Sequence, residues 1–291
     1  MKKINTEDFR VREGIKLSEL PTTYELEASN KKIEKKTGLL REKLSELQDV
    51  MYAQNKYSVL ICLQGMDTAG KDSLIREVFK EFNPRGMEVQ SFKAPNSRDL
   101  KHDYLWRHYI ALPEKGKFTV FNRSHYENVL ISRVHPEFVL AENIPGIDTL
   151  EEIPADFWQL RLQQINNFEK HIVQNGIVVI KFFLHLSKEE QRLRLLRRLE
   201  EEKHNWKFSP DDLTERKCWD AYQECYEEAI NETSKKKTPW FIIPADNKET
   251  ARYIVAKIIW EEMKRYKDIK EPELSDEIKS KFELYKQELQ Q

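Results

Sequence analysis

Cysteine is scarce in this chain: among 291 residues only Cys62, Cys218 and Cys225 occur, with no Cys-x-x-Cys pair. That excludes a disulfide framework and suits a reducing compartment. An excess of one charge is also missing. The 49 Lys and Arg nearly balance 50 Asp and Glu, leaving a net charge of −1 although 34% of residues are charged. Duplex-binding proteins are usually more basic, so nucleic acid is not an expected partner, and a site for a polyanion must concentrate its positive charge locally. Long apolar runs are absent as well. The longest, Ile177 to Leu186, is interrupted by Lys181 and His185 and is too short to span a bilayer. Met1-Lys-Lys-Ile-Asn-Thr-Glu leads into no apolar stretch, so no signal peptide is expected. The expected compartment is the cytoplasm, with no membrane partner. Repeats and low-complexity segments are missing too. Hydrophobic residues at 39%, with 11% aromatic, suffice for a core of one large or two small domains.

Residues 1–22 are polar and read as irregular. Residues 24–54 read as a helix, with Ile33, Leu40, Leu44, Leu47 and Met51 on one stripe that packs against the main body. From Tyr57 strands alternate with helices. The strands are expected at 57–64, 87–93, 118–122, 177–186 and 240–243, and the helices at 71–82, 98–111, 124–133, 155–175, 188–202, 210–234 and 247–266. Near-continuous apolar runs such as Ile177-Val-Val-Ile180 suit a parallel sheet covered on both faces. The expectation is a three-layer α/β unit: an arm at 1–55, a core at 56–266 with a helical insertion around 188–236, and a charged tail at 267–291.

Residues 65–72, Gly-Met-Asp-Thr-Ala-Gly-Lys-Asp, fit G-x-x-x-x-G-K, the phosphate-cradling P-loop. An apolar run of strand length precedes it, and Leu74, Ile75, Val78, Phe79 and Phe82 follow at helical spacing. Strand, loop and helix are the context that the motif requires. The N–H groups of the loop and helix start, around Gly65, Ala69, Gly70 and Asp72, then face an anion, and Lys71 adds a mobile positive charge. The loop departs from its rule twice. Position eight is Asp72 instead of a metal-binding Ser or Thr, and Asp67 is a second carboxylate. These charges repel phosphate unless a metal lies between or they are hydrogen-bonded elsewhere.

The third strand ends in Asn122-Arg-Ser-His-Tyr-Glu127. P-loop enzymes carry a metal-binding Asp on such a strand. Asn122 is a weaker, neutral ligand, so Asp67 and Glu127 are the candidate metal carboxylates. Arg123 lies where open α/β sheets bind ligands. In the loop after the second strand, Lys93, Asn96 and Arg107 are candidate contacts to a second substrate. Tyr104 and Trp106 read as core, and His102, His108 and His125 as structural. Arg194, Arg197 and Arg198 share a helix face, which favours either an anion or pairing with Glu200, Glu201 and Glu202.

Taken together, residues 65–72, Asn122-Arg-Ser-His-Tyr-Glu, His102-Asp-Tyr-Leu-Trp-Arg, Asn205-Trp-Lys-Phe-Ser and Pro239-Trp-Phe-Ile-Ile-Pro-Ala-Asp246 resemble the second family of polyphosphate kinases, over about residues 20–266. The resemblance implies a thymidylate-kinase-like P-loop kinase fold with a five-stranded parallel sheet and a helical lid. It also implies reversible phosphoryl transfer between inorganic polyphosphate and adenine nucleotides with Mg²⁺ or Mn²⁺, in a homo-oligomer. Asp67, Lys71, Arg123 and Glu127 would then be catalytic. Arg194, Arg198 and Lys207 would join the loop in binding phosphate, and Arg123 and Arg133 would join the nucleotide contacts. Many members carry Asp at the place of Asn122. The Asn-Arg-Ser-His-Tyr-Glu form resembles the class III branch, which uses both AMP and ADP. Two other readings compete: an NTP-dependent nucleoside monophosphate kinase, which predicts Ser or Thr at 72 and Asp at 122, and a non-catalytic nucleotide sensor, which has no need of acidic residues in the loop.

Overall fold

All eight residues of the strand ahead of the P-loop, β1 (Ser58–Gly65), are buried. The computed structural model describes residues 1–12 and 14–290. In it β1 is the middle strand of an all-parallel sheet with β2 (Met87–Ser91), β3 (Phe118–Asn122), β4 (Ile177–His185) and β5 (Trp240–Pro244), in the order β2-β3-β1-β4-β5. The pleat sends alternate side chains to opposite faces. Val59, Ile61 and Leu63 pack in one core cluster, and Leu60 and Cys62 in another. The chain order reverses beside β1, so the carboxyl ends of β1 and β3 open onto the crevice where such sheets bind ligands.

The helices are α1 (Asn30–Gln54), α2 (Lys71–Val78), α3 (Trp106–Tyr109), α4 (Ile131–Val134), α5 (Glu137–Leu140), α6 (Phe157–Gln174), α7 (Lys188–Glu200), α8 (Glu202–Asn205), α9 (Asp211–Lys217), α10 (Trp219–Thr233), α11 (Lys248–Met263), α12 (Asp276–Ser280) and α13 (Phe282–Leu289). Ile33, Leu44 and Met51 of α1 join the cluster that α2 and α11 cover. Tyr222, Tyr226 and Ile230 of α10 and Ile165 of α6 pack with Phe183 and Trp240 on the opposite face.

The structure breaks several expected helices. The span 98–111 becomes a 3-10 turn at Asp99–Lys101 and the single turn α3. Its side chains compete with the helical ladder: Asn96 Oδ1 accepts from the amides of Arg98 and Asp99, and Asp103 Oδ1 from that of Leu105. The span 124–133 becomes a 3-10 turn at His125–Val129 followed by α4, because Leu130 leaves helical geometry. An extended Glu201 separates α7 from α8, and Cys218 separates α9 from α10. The first 22 residues are more than a polar leader. Ile4, Phe9, Val11 and Leu17 are buried, and the amide of Val11 donates to Trp240 O at 2.9 Å. The segment thereby covers the open edge of β5. No helix among the described residues is long and apolar enough to cross a membrane.

Candidate active site

The site is built on two adjacent strand ends. At the first, Gly65 has φ +153°, and a Cβ there would lie 2.9 Å from Leu184 O, so only glycine lets β1 turn tightly against β4. Gly70, at φ +101°, starts α2. At the second, Arg123 holds the left-handed conformation at φ +61°, a costly state for a residue with a side chain.

These turns bring together four residues that are 60 positions apart at the extremes. Arg123 Nη2 donates to Asp67 Oδ1 at 2.6 Å, and its Nη1 to Glu127 Oε2 at 3.2 Å. Glu127 and then Asp67 outweigh burial and hold the guanidinium firmly protonated. Lys71 folds back onto its own loop, with Nζ donating to Gly65 O at 2.6 Å and to Met66 O at 3.3 Å. It is half-buried. Burial and the neighbouring Arg123 push its pKa down to about 8, against the pull of Asp67, Glu127 and Asp72.

The two departures from the P-loop pattern compensate each other. Asn122 Nδ2 donates to Asp72 Oδ1 at 2.6 Å. Asn122 therefore acts as the hydrogen-bond donor that satisfies the extra carboxylate. An Asp at 122 would set two carboxylates at that distance, where one must take a proton or share a cation.

A cavity of about 510 Å³ opens above the loop. Its lining carries Lys71, Lys93, Arg123, Arg194, Arg197, Arg198, Lys207 and Lys248 against the carboxylates of Asp67 and Asp72. A chain with a net charge of −1 has thus placed eight of its 49 Lys and Arg around one cavity. A smaller cavity, about 140 Å³, lies against Asp67, Arg123 and Glu127, with Glu215, Tyr222 and Tyr226 on its wall.

The sequence-derived set divides here. Gly70, Asp72, Lys93, Lys207 and Arg198 face the large cavity with Asp67, Lys71 and Arg123, and Glu127 with Gly65 faces the small one. Ala69 is buried beneath the loop. Arg194 lines the large cavity, yet its five N–H groups are taken by the carbonyls of Thr68, Ala69, Ala245 and Asp246 and by Glu190. It ties the loop to the end of β5 and requires no external anion. Arg198 donates to Asp212 and to Lys207 O, and Arg197 to Glu201; of the three glutamates expected to pair with this face, Glu201 does so. Neither cavity is lined by Asn96, Arg107 or Arg133. Asn96 caps its own turn, Arg107 props the loop through Lys93 O at 2.8 Å, and Arg133 pairs with Glu228. Trp106 and Tyr104 are half-buried instead of core, Trp106 stacking on His102 at 3.9 Å. His108 and His125 are fully buried.

Sequence reasoning missed Ser91, His204 and Lys248 as cavity-lining residues. Lys248 follows β5 and the N-cap Asn247, the same strand-end position that singled out the other loops.

A divalent metal fits the carboxylates. Among the described residues no three acidic, His or Cys side chains are close enough to form a cage. Glu127 Oε1 is buried without a hydrogen-bond partner, however, and Asp67 stands across Arg123 from it. One or two carboxylates completed by phosphate oxygens is the usual protein share of a Mg²⁺ site.

Comparison with known proteins decides the family. The profile described as Polyphosphate kinase 2 (PPK2) matches residues 27–271. This chain belongs to the polyphosphate kinase 2 family. It is 47% identical over 270 residues to a Rhodopseudomonas palustris protein named ADP-polyphosphate phosphotransferase, covering 91% of this chain and 92% of that one. It is 42% identical over 224 residues to a Meiothermus ruber protein named AMP/ADP-polyphosphate phosphotransferase, covering 77% and 78%. The crystal structure of polyphosphate kinase 2 from Arthrobacter aurescens superimposes with a TM-score of 0.85 at 30% identity, over 96% of both chains. The fold is therefore the P-loop kinase fold of that family, and the chain is a phosphotransferase.

Proposed function

We propose that this chain transfers the terminal phosphoryl group of inorganic polyphosphate to ADP and to AMP, reversibly. The observation that carries the reading is the cavity at the P-loop, where eight Lys and Arg side chains face two carboxylates: Lys71, Lys93, Arg123, Arg194, Arg197, Arg198, Lys207 and Lys248 against Asp67 and Asp72. A nucleoside triphosphate offers far fewer anionic groups than a polyphosphate chain of many units.

Phosphoryl transfer asks little covalent chemistry of a protein; it needs in-line geometry and compensation of charge on the equatorial oxygens. Lys71 exchanges its two loop carbonyls for phosphate oxygens as substrate enters. Arg123 stabilises the transferring group from the strand end. Asp67 and Glu127 would hold Mg²⁺ or Mn²⁺, which when bound neutralises charge shared between donor and acceptor phosphates. Of the insertion expected at 188–236, α10 packs in the core, so the lid is α7 to α9, with Arg198 and Lys207 on its inner side and Arg194 fixing its root. Lys93 lies at the acceptor side, and Arg107 and Asn96 hold its loop in shape. Residues 1–55 and 267–291 are the arm and tail of the 56–266 core. A reducing cytoplasm suits three cysteines that form no disulfide, and assembly of like copies belongs to the same reading.

Use of both acceptors rests on the Asn122-to-Glu127 form. An ADP-only reading is favoured by the Rhodopseudomonas palustris relative, named ADP-polyphosphate phosphotransferase. Incubation with polyphosphate, AMP and Mg²⁺, free of adenylate kinase, tests the two: accumulation of ATP supports dual use, and product stopping at ADP or no reaction with AMP removes it. ATP in place of polyphosphate as donor, if it works as well, removes the polyphosphate reading.

A further inference from the structure

Beneath the turn that carries Arg123 and Glu127 lies an ion pair that the proposed chemistry does not use. Lys181 of β4 and Glu169 of α6 are both completely buried, with Nζ 2.6 Å from Oε2. The remaining Lys181 donors go to Tyr126 Oη at 2.9 Å and Thr233 O at 2.8 Å. Glu169 Oε1 accepts from Tyr126 Oη at 2.8 Å and meets His125 Nε2 at 3.2 Å. Burial alone pushes the Glu169 carboxyl up, but Lys181 and His125 outweigh it and hold it at about 2.

A buried pair of this kind is a poor source of stability. Desolvation offsets most of the attraction, and well-packed apolar residues in its place are often as stable or more so. What the pair does supply is a fixed acceptor for two consecutive side chains of the turn, His125 and Tyr126. These two lie between a strained Arg123 and Glu127, and such strain persists only where the surroundings over-determine it. We infer that Glu169 and Lys181 are positioning residues for phosphoryl transfer: they anchor His125 and Tyr126 so that Arg123 and Glu127 stand in reacting geometry. The inference rests on the reading of Arg123 and Glu127 as the reacting pair.

Its test compares three variants, with Arg123→Ala as the control for that reading. Lys181→Met with Glu169→Leu removes the anchor and keeps the volume. We expect a melting temperature close to the parent's, KM for ADP and polyphosphate within about twofold, and kcat lowered roughly tenfold to a hundredfold, the scale of a misplacement near 1 Å. Lys181→Met with Glu169→Gln keeps the Oε1 acceptor without either charge, and should restore kcat to within about threefold. Tyr126→Phe deletes one hydroxyl and should lower kcat by about tenfold on the same misplacement argument. Parent kcat in the Leu variant, or an equal loss in the Leu and Gln variants, overturns the inference. Should the Leu variant not fold, Tyr126→Phe decides: parent kcat there overturns it as well. Activity surviving Arg123→Ala instead removes the reading of the reacting pair itself.

Discussion

The two cationic regions of the site hold their charge in different ways. At the ends of β1 and β3, partners come from distant parts of the chain: Arg123 meets Asp67, and Asn122 meets Asp72. On the segment that follows β4, partners are local. Arg192 pairs with Glu189, Arg197 with Glu201, and Arg198 with Asp212. The root of α7 reaches across, through Gln191 to Asp67 O and Arg194 to Thr68 O and Ala69 O, and Glu215 of α9 meets His135. Beyond it Leu196, Leu199 and Trp206 stay exposed, Trp206 at 78%. Long-range pairs lock geometry to the sheet before substrate arrives, and local pairs travel with their segment when it moves. On the proposed reading, the first region is preorganised for charge stabilisation, and α7 to α9 of the second close over an anion.

Lys71→Ala is the largest expected break in the preorganised region. It should lower kcat by on the order of 10³ or more, since the charge on the transferring oxygens loses its mobile counterpart. Its melting temperature should fall only modestly, because two loop carbonyls lose one of their donors while the core is left intact. Turnover and melting measured on one preparation check both halves; near-parent turnover rejects the assignment. Asp67→Asn comes next, at about 10²–10³ in rate. Its signature is a weakened dependence on Mg²⁺ concentration, and a variant that keeps its metal dependence and most of its rate makes Asp67 a mere partner of Arg123.

The contrast was only half legible in the sequence. The parallel sheet was visible because strands buried on both faces leave continuous apolar runs, as in Val59 to Leu63. The loop was visible because Gly65 and Gly70 are required by backbone geometry, whatever the rest of the chain does. Helix lengths around 98–134 were not, since Asn96, Asp103 and Leu130 end the ladder through side-chain bonds and backbone angles that carry no period. The partners of Arg194 were hidden for a similar reason. Helical spacing places three guanidiniums on a face, but it does not reveal that four backbone carbonyls from the P-loop and the end of β5 meet one of them.

That difference in partners separates two arginines on one helix. Arg194→Ala should cost about 1–3 kcal/mol of stability, because it leaves buried carbonyls unpaired, and should raise KM for donor and acceptor alike by loosening the loop. Arg198→Ala should leave melting within a degree or two and raise KM for polyphosphate more than for ADP. Equal behaviour of the two variants erases the distinction between root and lid.

A smaller effect concerns pH. With Lys71 at about 8 in the free protein, kcat/KM should fall about tenfold per unit above that pH, as the amine discharges before phosphate binds. Bound phosphate favours the charged amine, so kcat should hold to higher pH. Stability should move the other way. The unfolded lysine keeps its ordinary value of 10.5, so between about 8 and 10.5 the unfolded chain binds more protons and stability rises with pH. A kcat/KM profile flat to pH 10 removes Lys71 as the titrating group.

The smallest expected effect sharpens the comparison from the far side of the cavity. Lys248 is in neither the P-loop nor the lid, but at the start of α11, where its amine faces the cavity. Burial lowers its pKa first, then Arg194, Arg197 and Arg252, with Glu190 opposing them. No carboxylate is paired with it among the described residues, so it is a cation surrounded by cations. An anion relieves that repulsion, and a long polyphosphate offers one far from the reacting end. Lys248→Met keeps the aliphatic stem and removes the charge. It should raise KM for long polyphosphate by roughly threefold to tenfold, leave kcat and KM for ADP unchanged, and reduce the slope of log affinity against log salt by about one, as for one lost phosphate contact in a nucleic acid. Short polyphosphates that end before Lys248 should not sense the change. A loss that is equal for short and long chains, or an unchanged salt slope, places the polyanion on another path and leaves Lys248 without a part in donor binding.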